Sequence, residues 1–285
     1  MWIPIFLLPT LTIFVAIYAV PIVTVFITSF FNYTSKGFSF GGLQNYVILF
    51  EQSLRGRTFM QSFQNTMIWV LLQSVVHVSL GIGIALILSR KPVGWKFVRT
   101  VYMIPNIISA AALGMVYLNV FDPERGFVNA VIRRFFDPAF EMNWYVDKPF
   151  FTTTFTWLVF AGLITILVLA DIKSISEDIY EAARVDGASK FQLDFYITLP
   201  LIKNVAGTSV VLAATSMLKE FELIYMTTNG GPGIKTMNLP LLIYKTALSE
   251  QNYGIANAVG VLTILLGIAI ITIVNALFRI GKTDR

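Results

Sequence analysis

Cysteine is absent from this 285-residue chain, and histidine occurs once, as His77. Without thiols there is no disulfide and no thiolate metal site. A single imidazole makes a histidine-based metal centre a poor reading, so no metal is expected. Charge is scarce too: 13% of residues are Asp, Glu, Lys or Arg, against about a quarter in soluble domains. No G-x-x-x-x-G-K-[ST] occurs, and Gly230-Gly-Pro-Gly233 lacks both the lysine and the strand–helix context of a phosphate cradle, so it reads as a turn. No Ser/His/Asp set and no paired buried carboxylates point to hydrolysis, so no catalytic residue is assigned. No basic run with interleaved aromatics appears, which argues against a nucleic-acid partner. The net charge of +5 fits basic cytoplasmic loops on a membrane protein.

What the chain has is apolar length. Hydrophobic residues make up 56% of it, and the mean hydropathy is +0.72. Six apolar segments stand out: Ile3–Phe30, Thr66–Ser89, Val98–Val120, Phe155–Ala170, Val205–Leu218 and Gly254–Phe278. A helix needs about 20 residues to cross a hydrocarbon core. In lipid every backbone polar group must be satisfied internally, so these segments should be helices. The expected fold is all-α, a polytopic membrane protein with six transmembrane helices forming a single domain over residues 1–285. A bend is expected near Pro21, and the fifth segment is short enough that it either extends past Glu222 or borders a cavity. The chain opens in an apolar run, with no basic n-region and no small-residue cleavage site. A membrane helix is expected there rather than a cleaved leader.

Lysine and arginine set the orientation. They are dense in the second-to-third connection (Arg90, Lys91, Lys96, Arg99), in the fourth-to-fifth (Lys173, Arg184, Lys190, Lys203) and in the tail (Arg279, Lys282, Arg285). That side should be cytoplasmic, with both termini inside. The three opposite connections are longer and hold most of the Gly, Pro, Trp and Asn punctuation.

The polar stretch 171–203 lies between two apolar runs. Ser174-Ile-Ser-Glu177 fits a capping box. A helix should follow to Asp186, with Gly187 as the left-handed residue that ends it. Ser189-Lys-Phe-Gln192 is a second capping box, opening a helix expected to give way at Leu199-Pro200. The first helix carries small residues at Ala182 and Ala183 beside an acidic flank of Glu177, Asp178 and Glu181. Such a helix suits a groove on a partner carrying Arg or Lys. It equally suits a solvated interfacial helix with an internal Glu181–Arg184 pair.

Residue type and spacing over Glu181-Ala-Ala-Arg-Val-Asp-Gly-Ala188 and Ile197-Thr-Leu-Pro200 resemble the EAA coupling loop of bacterial ABC-importer permeases. The likeness is to the sugar-importer group that includes the maltose and glycerol-3-phosphate permeases. Ser29-Phe-Phe-Asn-Tyr33, Gly42-Leu-Gln-Asn-Tyr46, Asn65-Thr66, Gly126-Phe-Val-Asn129 and Asn229-Gly-Gly-Pro232 resemble that group in the same order, so the likeness covers essentially the whole chain. The Gly-Gly-Pro segment resembles the first permease of the pair. Asn204 departs from the pattern, because the family often has a proline there.

The resemblance implies a bacterial cytoplasmic-membrane permease that works with a second homologous permease subunit and two copies of an ABC ATPase. ATP and Mg would be held by that ATPase, with no cofactor on this chain. An extracytoplasmic solute-binding protein would deliver a sugar substrate. Glu181, Ala182, Ala183, Asp186 and Gly187 would form the ATPase-coupling site. A sugar pathway needs hydroxyl-reading groups and a flat apolar face. Ala213, Ser216, Met217 and Glu220 share a helical face of the fifth segment, with Thr215 and Lys219 beside it, and the family draws on this crossing for its substrate site. Lys219 and Glu220 equally fit an outer membrane boundary. Thr156 and Trp157 lie near the outer end of the fourth segment, where Trp157 also fits an interfacial anchor. His77, Gln73 and Ser74 read as interhelical hydrogen bonding, Gly81 and Gly83 as close packing, and Asn257 as a minor site candidate. Alternatives are an ABC permease for glycerol phosphate or a polyamine, and an ion-coupled secondary transporter. The crossings offer almost no lysine or arginine for a phosphorylated solute, and no carboxylate beyond Glu220.

Overall fold

A computed structural model describes residues 3–158 and 162–278, without the side chains of residues 3–6 and of Trp157. The chain is helical almost throughout. Among the described residues, three helices are long and apolar enough to cross a membrane: Leu7–Thr28, Leu54–Ser89 and Tyr253–Phe278. Two further helix pairs are apolar enough to cross only if each is taken as one broken span. Trp95–Ile107 meets Ala110–Val120 at 107°, and Lys190–Leu201 meets Lys203–Thr227 at 70°. The fourth expected crossing falls on helices Pro149–Leu158 and Gly162–Ile172, either side of residues outside the description. The basic tail residues Arg279, Lys282 and Arg285 also lie outside it.

Helix 3–28 is continuous through Pro21, where a bend is expected, and a π-helical turn, Val15–Ala19, precedes the proline. The helix at Leu199-Pro200 likewise runs on to Leu201 behind a π-helical stretch, Leu193–Thr198, and ends at Ile202. Proline cannot donate to the carbonyl four residues back, and a widened turn re-spaces the ladder there without ending the helix. At Pro105 the helix runs on to Ile107, and a new one starts from Ser109, whose side chain caps Ala112 N–H.

The described residues group into two compact units. One holds residues 3–64 and 237–266. It carries an antiparallel hairpin, Phe31–Thr34 with Gly37–Phe40, pairing Phe31 with Phe40. The helix beginning at Leu54 starts well before the expected Thr66. Buried Asn45 donates from Nδ2 to the carbonyls of Ser29 and Phe31, both at 2.8 Å. A Cβ on Gly254 would lie 2.2 Å from Phe31 O, so only glycine admits this approach. Asn257 donates to Thr28 Oγ1 at 2.7 Å, which gives it a packing partner. Arg55 and Glu250 form an ion pair at 2.9 Å.

The second unit holds residues 65–236 and 267–278 of the described chain. Its core joins Val78, Ala85 and Leu88 of helix 54–89 to Ile164, Val168, Leu169 and Ile172 of helix 162–172, closed by Ile202 and Ala213. Gly162 lies against the broken third crossing; a Cβ there would sit 2.4 Å from Asn106 Nδ2 and 2.5 Å from Tyr102 O. Gly81 is buried, whereas Gly83 faces open space and so does not serve the close packing expected of it.

Candidate functional site

Two places in the second unit carry chemistry. The first is a cavity of about 480 Å³ at the breaks in the helices. Pro105, Asn106 and Ala110 line it from either side of the 107° corner. Leu113 and Tyr117 follow on the next helix. Irregular backbone at membrane depth persists only where protein buries it or a cavity takes it up, so the broken helix and the cavity explain each other. The π-helical turn Gln73–His77 sends both of its end residues to the same wall. His77 Nδ1 also lies 3.3 Å from Leu158 O, which makes it an interhelical contact as well as a lining group.

Helix 203–217 supplies the opposite wall with Leu212, Ala213, Thr215 and Ser216, continued by Lys219 and Glu220. Met217 does not belong to it: the side chain is 3% exposed and packed inside. The wall keeps Ala213, Ser216 and Glu220 of the expected face and turns toward Thr215 and Lys219, away from Met217. Glu220 accepts a hydrogen bond from Leu223 N–H at 3.1 Å, at the start of helix 222–227. Thr156 lines the cavity while its hydroxyl donates to Thr153 O at 2.7 Å. The Trp157 side chain lies outside the described residues. The wall thus mixes amide, phenol, hydroxyl, carboxylate and ammonium groups with apolar surface, suited to orienting a polar solute. Asn106 and Tyr117 are lining groups that the sequence analysis does not single out; the proline next to Asn106 is a sequence signal for the first, and Tyr117 has none.

The second place is the elbow at 171–203. Helix Glu177–Val185 is capped by Ser176, which accepts from Asp178 N–H at 3.3 Å. Ser174 instead donates to Asp171 O at 2.7 Å, so the expected Ser174–Glu177 capping box does not form. Gly187 has φ +83°. Ala188 N–H bonds Ala183 O at 2.9 Å and Gly187 N–H bonds Arg184 O at 3.1 Å, the paired closure of a Schellman end. The Ser189–Gln192 box forms with both hydrogen bonds present. Helix 177–185 buries none of its residues. Glu181, Ala182, Asp186 and Gly187 are exposed and Ala183 is half-buried, while Val185 is 88% exposed. Glu181 and Arg184 do not pair; Arg90 instead pairs with Asp194 near this helix. One tether holds the helix: Tyr180 OH lies 3.1 Å from Thr198 Oγ1. Thr198 donates its own proton to Leu193 O, which makes Tyr180 the donor.

Residues 77–280 match the family described as the inner membrane component of binding-protein-dependent transport systems. The chain belongs to this family. The permease is 30% identical to the probable ABC transporter permease protein YurN of Bacillus subtilis, over 98% of this chain and 96% of that one. It is also 30% identical to the galactooligosaccharides transport system permease protein GanP of Bacillus subtilis, covering 95% and 68%. The trehalose/maltose transport system permease protein MalF of Thermococcus litoralis is 30% identical as well, covering 86% and 81%. In fold the permease matches a chain of a bacterial alginate ABC transporter, solved with an alginate pentasaccharide-bound periplasmic protein, at TM-score 0.83 and 24% identity over 96% and 92% of the two chains. The permease is thus a multi-pass inner-membrane transport subunit rather than an enzyme.

Proposed function

We propose that this permease is one of two homologous membrane subunits of an ATP-driven importer for a sugar or oligosaccharide, moved by alternating access. Six crossings would place both termini and the elbow in the cytoplasm. Two copies of an ATPase, holding ATP and Mg, would dock on helix 177–185, with Glu181 meeting basic side chains. Ala182 and Ala183 would admit the close approach, and Asp186 and Gly187 would set the angle to the next helix. An extracytoplasmic binding protein would load substrate from the other side into the cavity lined by Ala213, Ser216, Glu220 and Thr156. Closure of the ATPases would press the elbow and rock the bundle as a rigid body.

One observation carries the docking reading. Helix 177–185 buries nothing of its own, exposes Ile179 and Val185 beside Glu181, and is held at a set angle by the left-handed Gly187. A free acidic-apolar helix on a rigid hinge is a shape that awaits a groove. The names of the relatives, for galactooligosaccharides and for trehalose/maltose, favour a sugar, and the mixed polar and apolar cavity wall accords with one. The test is uptake of a panel of labelled sugars into proteoliposomes holding the assembled importer, its binding protein and internal ATP. Uptake that needs both ATP and the binding protein is expected; uptake that persists without ATP would overturn the reading.

A further inference from the structure

Behind the elbow lies a second cavity, of about 680 Å³, that the transport reading leaves without a role. Five cationic side chains line it: Arg90, Lys91, Lys173, Arg184 and Lys190. Two anionic ones face them, Glu177 and Asp194. Asp194 is engaged by Arg90, which also reaches Lys190 O at 3.4 Å. Four cations then face Glu177 alone. Helix termini do not offset this excess. The helices ending at Ser89 and Ile172 bring C-terminal carbonyls, those starting at Glu177 and Lys190 bring N-terminal amides, and their partial charges of about one half each cancel.

The helix over this cavity has two faces. Glu177, Tyr180 and Arg184 line the cavity, at the three- and four-residue spacing of one helix face. Glu181, Ala182 and Val185 fall on the rest of the helix and are exposed. On the inner wall Ile172, Ile175 and Leu193 give an apolar margin beside the cations. Lys173 Nζ stands 5.4 Å from the centre of the Trp95 ring, which holds that cation near the rim.

We propose that this cavity is an anion site that takes a phosphate group, carried by the headgroup of an anionic lipid or by free phosphate. Convergent lysine and arginine donors bind phosphate through charge-assisted hydrogen bonds. A bound phosphate ties helix 177–185 to the ends of helices 54–89 and 162–172, and so governs how stiffly the elbow is held. The site stands on the cavity itself; its effect on transport rests on the docking reading.

The test uses the purified importer in nanodiscs. One arm has discs of phosphatidylcholine with phosphatidylglycerol, and counts retained phosphatidylglycerol by native mass spectrometry. The other has phosphatidylcholine alone, and follows radiolabelled inorganic phosphate by equilibrium dialysis. Retention in either arm is expected, and the arm names the source. The double variant Lys173→Ala, Lys190→Ala should weaken it about tenfold or more, while Lys173→Arg, Lys190→Arg preserves it. Failure of the native importer to retain either anion, or retention unchanged in the alanine variant, overturns the site. ATPase co-purification is scored on the same samples. Loss of the ATPase with the anion retained tells against docking and leaves the site standing.

Discussion

The elbow and the helix-break cavity solve opposite problems with the same backbone. The elbow is built from neighbours in sequence. Ser176 and Ser189 cap its two helices and Gly187 turns between them, while helix 177–185 buries nothing. The cavity is built from residues far apart in sequence, brought together where the Trp95–Val120 crossing breaks and helix 203–217 ends. In the proposed reading, an element that docks a partner has to be rigid yet leave its side chains free. One that passes a solute has to open the bundle yet keep each polar group satisfied. The elbow should therefore tolerate changes of surface but not of hinge, and the cavity should respond to single polar groups.

The sharpest break in that comparison is Gly187→Pro. At φ +83° proline is excluded, since its ring holds φ near −65°. ATPase co-purification and ATP-driven uptake should both be lost, with solute binding kept; intact assembly would show that the hinge angle is immaterial. Gly162→Leu comes next. Its Cβ would collide with Tyr102 O and Asn106 Nδ2, an overpacking worth about 1–3 kcal/mol. The melting temperature of the purified permease should fall, and an unchanged value would mean that the two helices are not held in contact. Glu220→Gln removes the cavity's carboxylate charge but keeps its shape. The KM for the transported sugar should rise about tenfold, in line with a lost charge-assisted hydrogen bond, with ATPase association unchanged; unaltered transport removes Glu220 from the pathway. The smallest effect separates the serines. Ser189→Ala should cost about 1 kcal/mol of stability, and Ser174→Ala less than about 0.5, read by chemical denaturation. Equal losses would contradict the assignment of caps.

The same contrast explains what was legible beforehand. Caps, turns and the glycine hinge are local chemistry, so residues 186–192 could be read directly. Ser174 and Ser176 both precede the same acidic turn, and Ser176 rather than Ser174 caps it, because the Ser174 hydroxyl is turned back to Asp171 O. The crossings were legible as apolar runs, but their breaks were not. Pro21 and Pro200 are absorbed by π-helical turns, while the Pro105 crossing breaks two residues later, against Gly162. Which outcome a proline meets depends on neighbours distant in sequence. Met217 lies off the expected face for a related reason: a helix pattern gives a face, but the rotation of that face toward a cavity is set by the packing around it.

The measurement that bears most directly on the account is the amount of ATPase recovered with the solubilised permease when Glu181 is replaced by Lys. The charge reversal leaves caps, hinge and cavity in place. Recovery should drop severalfold while binding of the sugar to the assembled membrane subunits stays the same; recovery equal to that of the native chain would contradict the elbow's role as the seat of the motor.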